Sequence, residues 1–186
     1  RFPGDNLTRL TWKDAQLHLD VEFPERVGLD RLMGALAAAE ISNAGPAIII
    51  DLGTAAKVNF LAACRVFAGG AILPGLRMSS EALRGGTDLL PAISFPEEGS
   101  EPPVVGRNTE QAILSGLIWG LLGAVAELAS RMLPSSGAKP PILITGGDGK
   151  RFAAAIARRL PNEHVEFHEH LVAVGIWLAA QAGSRE

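Results

Sequence analysis

Ala47-Ile48-Ile49-Ile50-Asp51-Leu52-Gly53-Thr54 is the stretch that decides the fold. Its unbroken apolar run has the length and character of a strand buried on both faces. The run ends in a carboxylate, a glycine and a hydroxyl. A carboxylate at the end of a buried strand is costly unless a cation, a donor or a substrate meets it. Glycine lets backbone amides approach a phosphate, and threonine adds a hydroxyl donor. Taken alone, the pattern equally fits an Asx-type turn in which Asp51 caps the bend.

Upstream, Leu29 to Glu40 is rich in Ala, Leu and Met and reads as a helix stopped by Asn43, Gly45 and Pro46. Before it, Leu17, Leu19, Val21 and Phe23 alternate as an extended segment would, closed by Pro24. Downstream, Val58–Ala63 and Val66–Leu73 read as two strands joined around Ala63-Cys64-Arg65. Gly69-Gly70 marks a tight bend and Pro74-Gly75 an exit turn. A helix is expected from Arg77 to about Leu90, weakened by Gly85-Gly86, and then a loop over Ser94–Val105. Asn108 caps a long helix, with Gln111 in capping-box position. Gly116, Gly120 and Gly123 on that helix offer smooth ground for a neighbour, a second subunit included. A second buried strand, Ile142-Leu143-Ile144-Thr145, runs into Gly146-Gly147. A helix (Arg151–Leu160), a short strand (Val165–Phe167) and an apolar helix (Leu171–Ala182) follow. Strands and helices alternate around one hairpin, which predicts an α/β domain, a mixed sheet flanked by helices.

The 186 residues fit one domain with a short appendage, and 47% hydrophobic against 20% charged residues is ordinary for a globular core. A net charge of −3 without a basic run argues against nucleic acid as a partner. The single cysteine, Cys64, excludes an intrachain disulfide, fits a reducing compartment, and among small apolar neighbours reads as a buried thiol. The most apolar stretch, Ala112–Ala126, is shorter than the roughly 20 residues of a membrane span. It reads as a buried helix, and a cytoplasmic protein without membrane association is expected.

Other residues carry chemistry. Gly28-Leu29-Asp30-Arg31 sits where a loop becomes a helix. Asp30 there is either a favourable charge near the positive end of the helix dipole or a base for a substrate hydroxyl, with Arg31 holding an anionic group. Gly146-Gly147 either admits a nucleotide or only turns the chain. His164, His168 and His170 among Glu163, Glu166 and Glu169 read as a polar strand edge rather than a metal site. Trp119 and Trp177 read as core or subunit contacts.

In combination and order, these pieces resemble the successive motifs of type III pantothenate kinases. They are Pro24–Arg31, Asp51–Ala55, Gly69–Gly75, Gly106–Ile113 and Thr145–Gly147. The resemblance implies an actin-like ATPase (ribonuclease H-like) domain over 24–186, with 1–23 as the remnant or linker of an N-terminal half. It implies ATP-dependent phosphorylation of pantothenate, the first step of coenzyme A synthesis, by a homodimer. Gly28, Leu29, Asp30, Arg31 and Thr109 would line the pantothenate site, with Asp30 as the base. Gly53, Thr54, Gly146 and Gly147 would meet ATP, which brings its own Mg. Asp51 would bind a monovalent cation such as K.

Two departures qualify what is implied. The family's N-terminal Asp-x-Gly-Asn-Thr phosphate loop does not occur in these residues, so a folded but truncated and inactive chain is expected. Where the family continues Gly-Thr-Ala with threonines and an acid, this chain has Ala56, Lys57 and Asn59. Asp51 and Lys57 share a parity, so in extended chain they can face the same side, and the Lys57 ammonium then replaces the cation. Otherwise Lys57 points to solvent. The competing readings are a non-catalytic, pantothenate-kinase-like binding or accessory protein, and a kinase of the same fold with another small hydroxylated substrate.

Overall fold

The computed structural model describes residues 9–87, 90–96, 101–135 and 139–183. The decisive run forms β2 (Ala47–Leu52), the middle of a mixed sheet. It pairs antiparallel with β3 (Ala55–Ala62), which pairs antiparallel with β4 (Val66–Pro74). On its other side β2 pairs parallel with β5 (Ile142–Thr145), and β5 with β6 (Val165–Phe167). A two-residue strand, β1 (His18–Leu19), adds parallel to β4, giving the order β1-β4-β3-β2-β5-β6. A three-strand antiparallel meander continued by parallel strands is the ribonuclease H-like arrangement of the actin-like fold.

Why β2 is apolar up to Asp51 follows from its two coverings. Ile48 and Ile50 face a core with α2 (Leu76–Gly85), α3 (Thr109–Met132) and α4 (Gly149–Ala157). Ala47 and Ile49 face α1 (Leu29–Ile41) and α5 (Leu171–Gly183) on the opposite side. Alternate side chains of one strand serve two cores, so both faces are apolar until the strand's end, where Asp51 leaves the core. The second covering is unusually close. A Cβ on Gly175 of α5 would lie 1.9 Å from the Met33 carbonyl oxygen of α1, so glycine permits this helix crossing.

Several expectations change. The strand after Asp51 begins at Ala55, so Gly53-Thr54 closes a β-hairpin in which Asp51 pairs directly with Lys57. The shared side of these residues is a cross-strand pairing, not the parity of one extended chain. The extended segment before Pro24 shrinks to β1, between 3-10 turns at Trp12–Ala15 and Pro24–Arg26. Asp14 accepts from the Thr11 backbone and hydroxyl, which tightens the first turn. This segment belongs to the sheet and core: Ala15 is fully buried. α2 ends at Gly85, and Asp88 and Leu89 of the helix expected there lie outside the described residues, as do 97–100 of the loop and 1–8 of the linker.

Cys64 is exposed, not buried. The pairing of Ala62 with Val66 leaves 63–65 as the hairpin loop, where Cys64 and Arg65 adopt left-handed φ of 59° and 60°. The Cys64 amide donates to the Ala44 carbonyl at 2.8 Å, which fixes the backbone and leaves the thiol outside. The cap at α3 is present, with the Gln111 amide donating to Asn108 Oδ1 at 2.8 Å. Gln111 reaches back to the Arg107 amide, one residue before the cap. α3 runs 24 residues and is long and apolar enough to cross a membrane by length and composition. Ile118, Leu122, Val125 and Ala129 on it are packed into the sheet's core. Gly116, Gly120 and Gly123 have open space beside them. Trp119 is half-buried and donates to the Pro102 carbonyl, whereas Trp177 is 60% exposed.

Candidate active site

Asp51 is the penultimate residue of β2, Lys57 stands opposite it on β3, and Thr145 stands beside it on β5. All three lie on the α1/α5 side, in alternation with residues of the other core. The first turn of α1 reaches the same place. Lys57 Nζ donates to Asp51 Oδ2 at 2.6 Å and to Asp30 Oδ2 at 2.8 Å. The other Asp30 oxygen accepts from the Arg31 amide at 2.9 Å. Gly28, the residue before the helix, leaves room for this: a Cβ there would sit 2.6 Å from Asp30 Oδ1. Arg31 turns its Nε to Asn59 Oδ1 at 2.7 Å and lays its guanidinium over Phe67. Leu29 is half-buried and packs its side chain against the α1/α5 core.

Charge and burial set the protonation states. Burial pushes the Asp30 carboxyl up, but the Lys57 hydrogen bond and charge, the Arg31 amide and the Arg31 charge outweigh it and hold the group below its ordinary value. Burial depresses Lys57, and its two carboxylate partners more than restore it, leaving it above the ordinary lysine value. Arg31 is lowered by burial, against the pull of Asp30. The result is an ionised Asp30 beside a charged Lys57 near neutral pH.

The glycine turn lies against the end of β2. Gly146 has φ of +93°, and a Cβ on it would meet the Leu52 carbonyl at 2.3 Å and Asp51 Oδ1 at 2.5 Å, so only glycine fits. The Asp148 amide donates to the Leu52 carbonyl at 2.9 Å, tying the turn to the strand. Two clefts meet at Gly147. One, of about 490 Å³, is lined by Asp51, Thr145, Gly146, Gly147 and Lys150. The other, of about 400 Å³, is lined by Gly53, Thr54, Arg77, Gly147 and Asp148. The start of α4 opens on the same turn, where helix amides favour an anion.

Arg77 and Lys150 were not singled out by the sequence reading. Each is the second residue of its helix, a place where a cation opposes the helix dipole. That mismatch is the signal that could have found them. Among the described residues neither has an ion-pair partner, which leaves both charges available to phosphates. Thr109 is not brought to this cluster: it starts α3, on the opposite face of the sheet, and no hydrogen bond among the described residues joins it to Asp30 or Arg31. His164 and His168 both turn to the Glu166 carboxylate, whose acidity they strengthen.

Comparison with known proteins gives concordant results. The sequence model of type III pantothenate kinase matches residues 7–131. A type III pantothenate kinase of Rhodopirellula baltica is 41% identical over 167 residues, covering 88% of this chain and 58% of that protein. One of Gluconobacter oxydans is 37% identical over 139 residues, covering 75% and 49%. The chain thus spans about half the length of the curated relatives it matches. Among solved structures, a Baf-family protein of Campylobacter jejuni aligns with a TM-score of 0.63 at 19% identity, covering 95% of this chain and 74% of that one. Component A of (R)-2-hydroxyglutaryl-CoA dehydratase from Acidaminococcus fermentans aligns with a TM-score of 0.51 at 16% identity, covering 85% and 69%. At those identities the likeness is one of fold.

Proposed function

This chain belongs to the type III pantothenate kinase family, and on that premise we propose that it supplies the acceptor side and part of the nucleotide side of an enzyme that phosphorylates pantothenate with ATP. The observation that carries the reading is the joining of Asp30 to Asp51 through Lys57, beside the Gly146-Gly147 turn. An acceptor base and a phosphate-binding turn then lie on one surface, as transfer between two bound substrates requires.

In this reading the pantothenate hydroxyl lies against Asp30, which takes its proton as the oxygen bonds to the γ-phosphorus and the bond to ADP breaks. A carboxylate of low basicity suffices, because a loose phosphoryl transition state needs the nucleophile oriented more than deprotonated early. Arg31, steadied at Nε by Asn59, keeps its remaining guanidinium donors for the pantothenate carboxylate. The Leu29 backbone and Gly28 shape the pocket, and Thr109 is assigned to it from the family resemblance. Gly53, Thr54, Gly146 and Gly147 receive the ATP phosphates, and we add Arg77 and Lys150 as their counter-charges. Mg carried in with ATP would supply charge neutralisation there. We place the enzyme in the cytoplasm as a homodimer.

The Asp-x-Gly-Asn-Thr loop is not among the 186 residues, so we propose that this stretch by itself turns over poorly. The second reading is a non-catalytic relative. It is favoured by Lys57, which occupies the oxygen of Asp30 that a substrate hydroxyl would use. Pantothenate-dependent ADP release separates the two. It is measured on this chain, on the longest gene product that contains it, and on that product with Asp30→Asn. Release by the long product that disappears with Asp30→Asn supports the kinase. A folded long product that binds pantothenate without releasing ADP supports the relative.

A further inference from the structure

We propose that Lys57 is a built-in cation, its ammonium filling the place between Asp30 and Asp51 that a mobile monovalent ion would otherwise fill. Two carboxylates facing one position repel unless a positive charge lies between them. Here that charge is covalently supplied. Lys57 Nζ lies 2.6 Å from Asp51 and 2.8 Å from Asp30, and the Lys57 and Asp51 side chains are only 17% and 14% exposed. An ammonium group has the charge of potassium and accepts similar oxygen ligands, so both cannot occupy this position.

The surroundings agree. Among the described residues no other side-chain cation bonds either carboxylate: Arg31 is turned to Asn59, while Arg77 and Lys150 line the clefts. Asn59, next on the same face of β3, is neutral and buried, and so adds no carboxylate that would recruit a second ion. The position therefore does not suit the monovalent cation that the family resemblance assigned to Asp51. In turnover the fixed charge would join the acceptor and donor sides. That role rests on the kinase reading; the occupancy does not.

The test is thermal unfolding of this chain, Lys57→Ala and Lys57→Met at constant ionic strength, in potassium chloride or tetramethylammonium chloride. The native chain should unfold within about 1 °C in the two salts. Lys57→Ala should unfold lower in tetramethylammonium and recover about 3–5 °C in roughly 0.1 M potassium, the gain for a site of about 10 mM affinity. Lys57→Met, whose stem fills the space without a charge, should not recover. A potassium-specific gain in the native chain, none in Lys57→Ala, or an equal one in Lys57→Met would each overturn the proposal. Should Lys57→Ala not fold, Lys57→Ser, equally short and expected to recover in potassium in the same way, takes its place, and the native comparison still decides. None of these readings requires phosphoryl transfer, so failure of the kinase assignment and failure of the built-in cation are seen separately.

Discussion

At the scale of single residues, the bridge through Lys57 sets what can be measured. Removing the base in Asp30→Asn should lower the turnover of an active longer product by about 10²–10⁴-fold, the usual contribution of a general base. Its unfolding temperature should move little, because Asp30 is the half-exposed partner. Asp51→Asn should behave oppositely in stability. It strips Lys57 of its better-buried partner and leaves only the half-exposed Asp30 to balance the ammonium, so it should cost about 1.5–3 kcal/mol, the worth of a hydrogen bond between charged groups. Denaturant titration of the two variants side by side checks the contrast. The pH dependence follows from the two shifts. Asp30, held below its ordinary value, adds stability that is complete above about pH 5 and lost as pH falls through its folded-state value. Lys57, held above its ordinary value, adds stability that is complete below about pH 10 and lost as pH rises beyond that. Unfolding free energy measured from pH 3 to 11 should thus begin to lose its Lys57 sensitivity toward both ends and keep it in full between.

At the scale of elements, the α1/α5 crossing is the most demanding contact. Gly175→Ala drives a methyl into the Met33 carbonyl and should cost about 1–3 kcal/mol as the helices part, seen as a drop of several degrees in unfolding temperature. Gly147→Ala, with open space around its Cα, should be nearly neutral to stability. Several elements were legible in advance: the bounds of β5 and β6 coincide with those read from the sequence, α1 runs one residue past its expected end at Glu40, and α3 starts directly after its Asn108 cap. What could not be read was decided by tertiary pairing. The hairpin between β2 and β3 is invisible in Ala55-Ala56-Lys57, which has little strand character, and forms because β2 and β4 flank it. Cys64 looked buried from its apolar neighbours, but the register of the β3–β4 hairpin put it in the loop.

At the scale of the whole molecule, the candidate site lies where the antiparallel and parallel parts of the sheet adjoin, at the ends of β2 and β5. Sequence reading named Asp30, Asp51 and the glycine turn from their places at the ends of regular elements together with the family resemblance, and Lys57 from its departure from the family's pattern. It did not name Arg77 or Lys150, since their convergence depends on helices from distant parts of the chain. ATP in excess should raise the unfolding temperature of the chain, and Lys150→Ala should reduce that rise without lowering the ligand-free value. One feature far from this surface has a practical use. The chain's single thiol stands at the tip of the β3–β4 hairpin, on the strand whose other end carries Lys57. At about 3.4 Å per residue, the two positions are separated by roughly 20 Å. A fluorophore on Cys64 would therefore be attached at one defined point and clear of the bridge, making distance changes between that tip and a labelled nucleotide readable by energy transfer without engineering a cysteine.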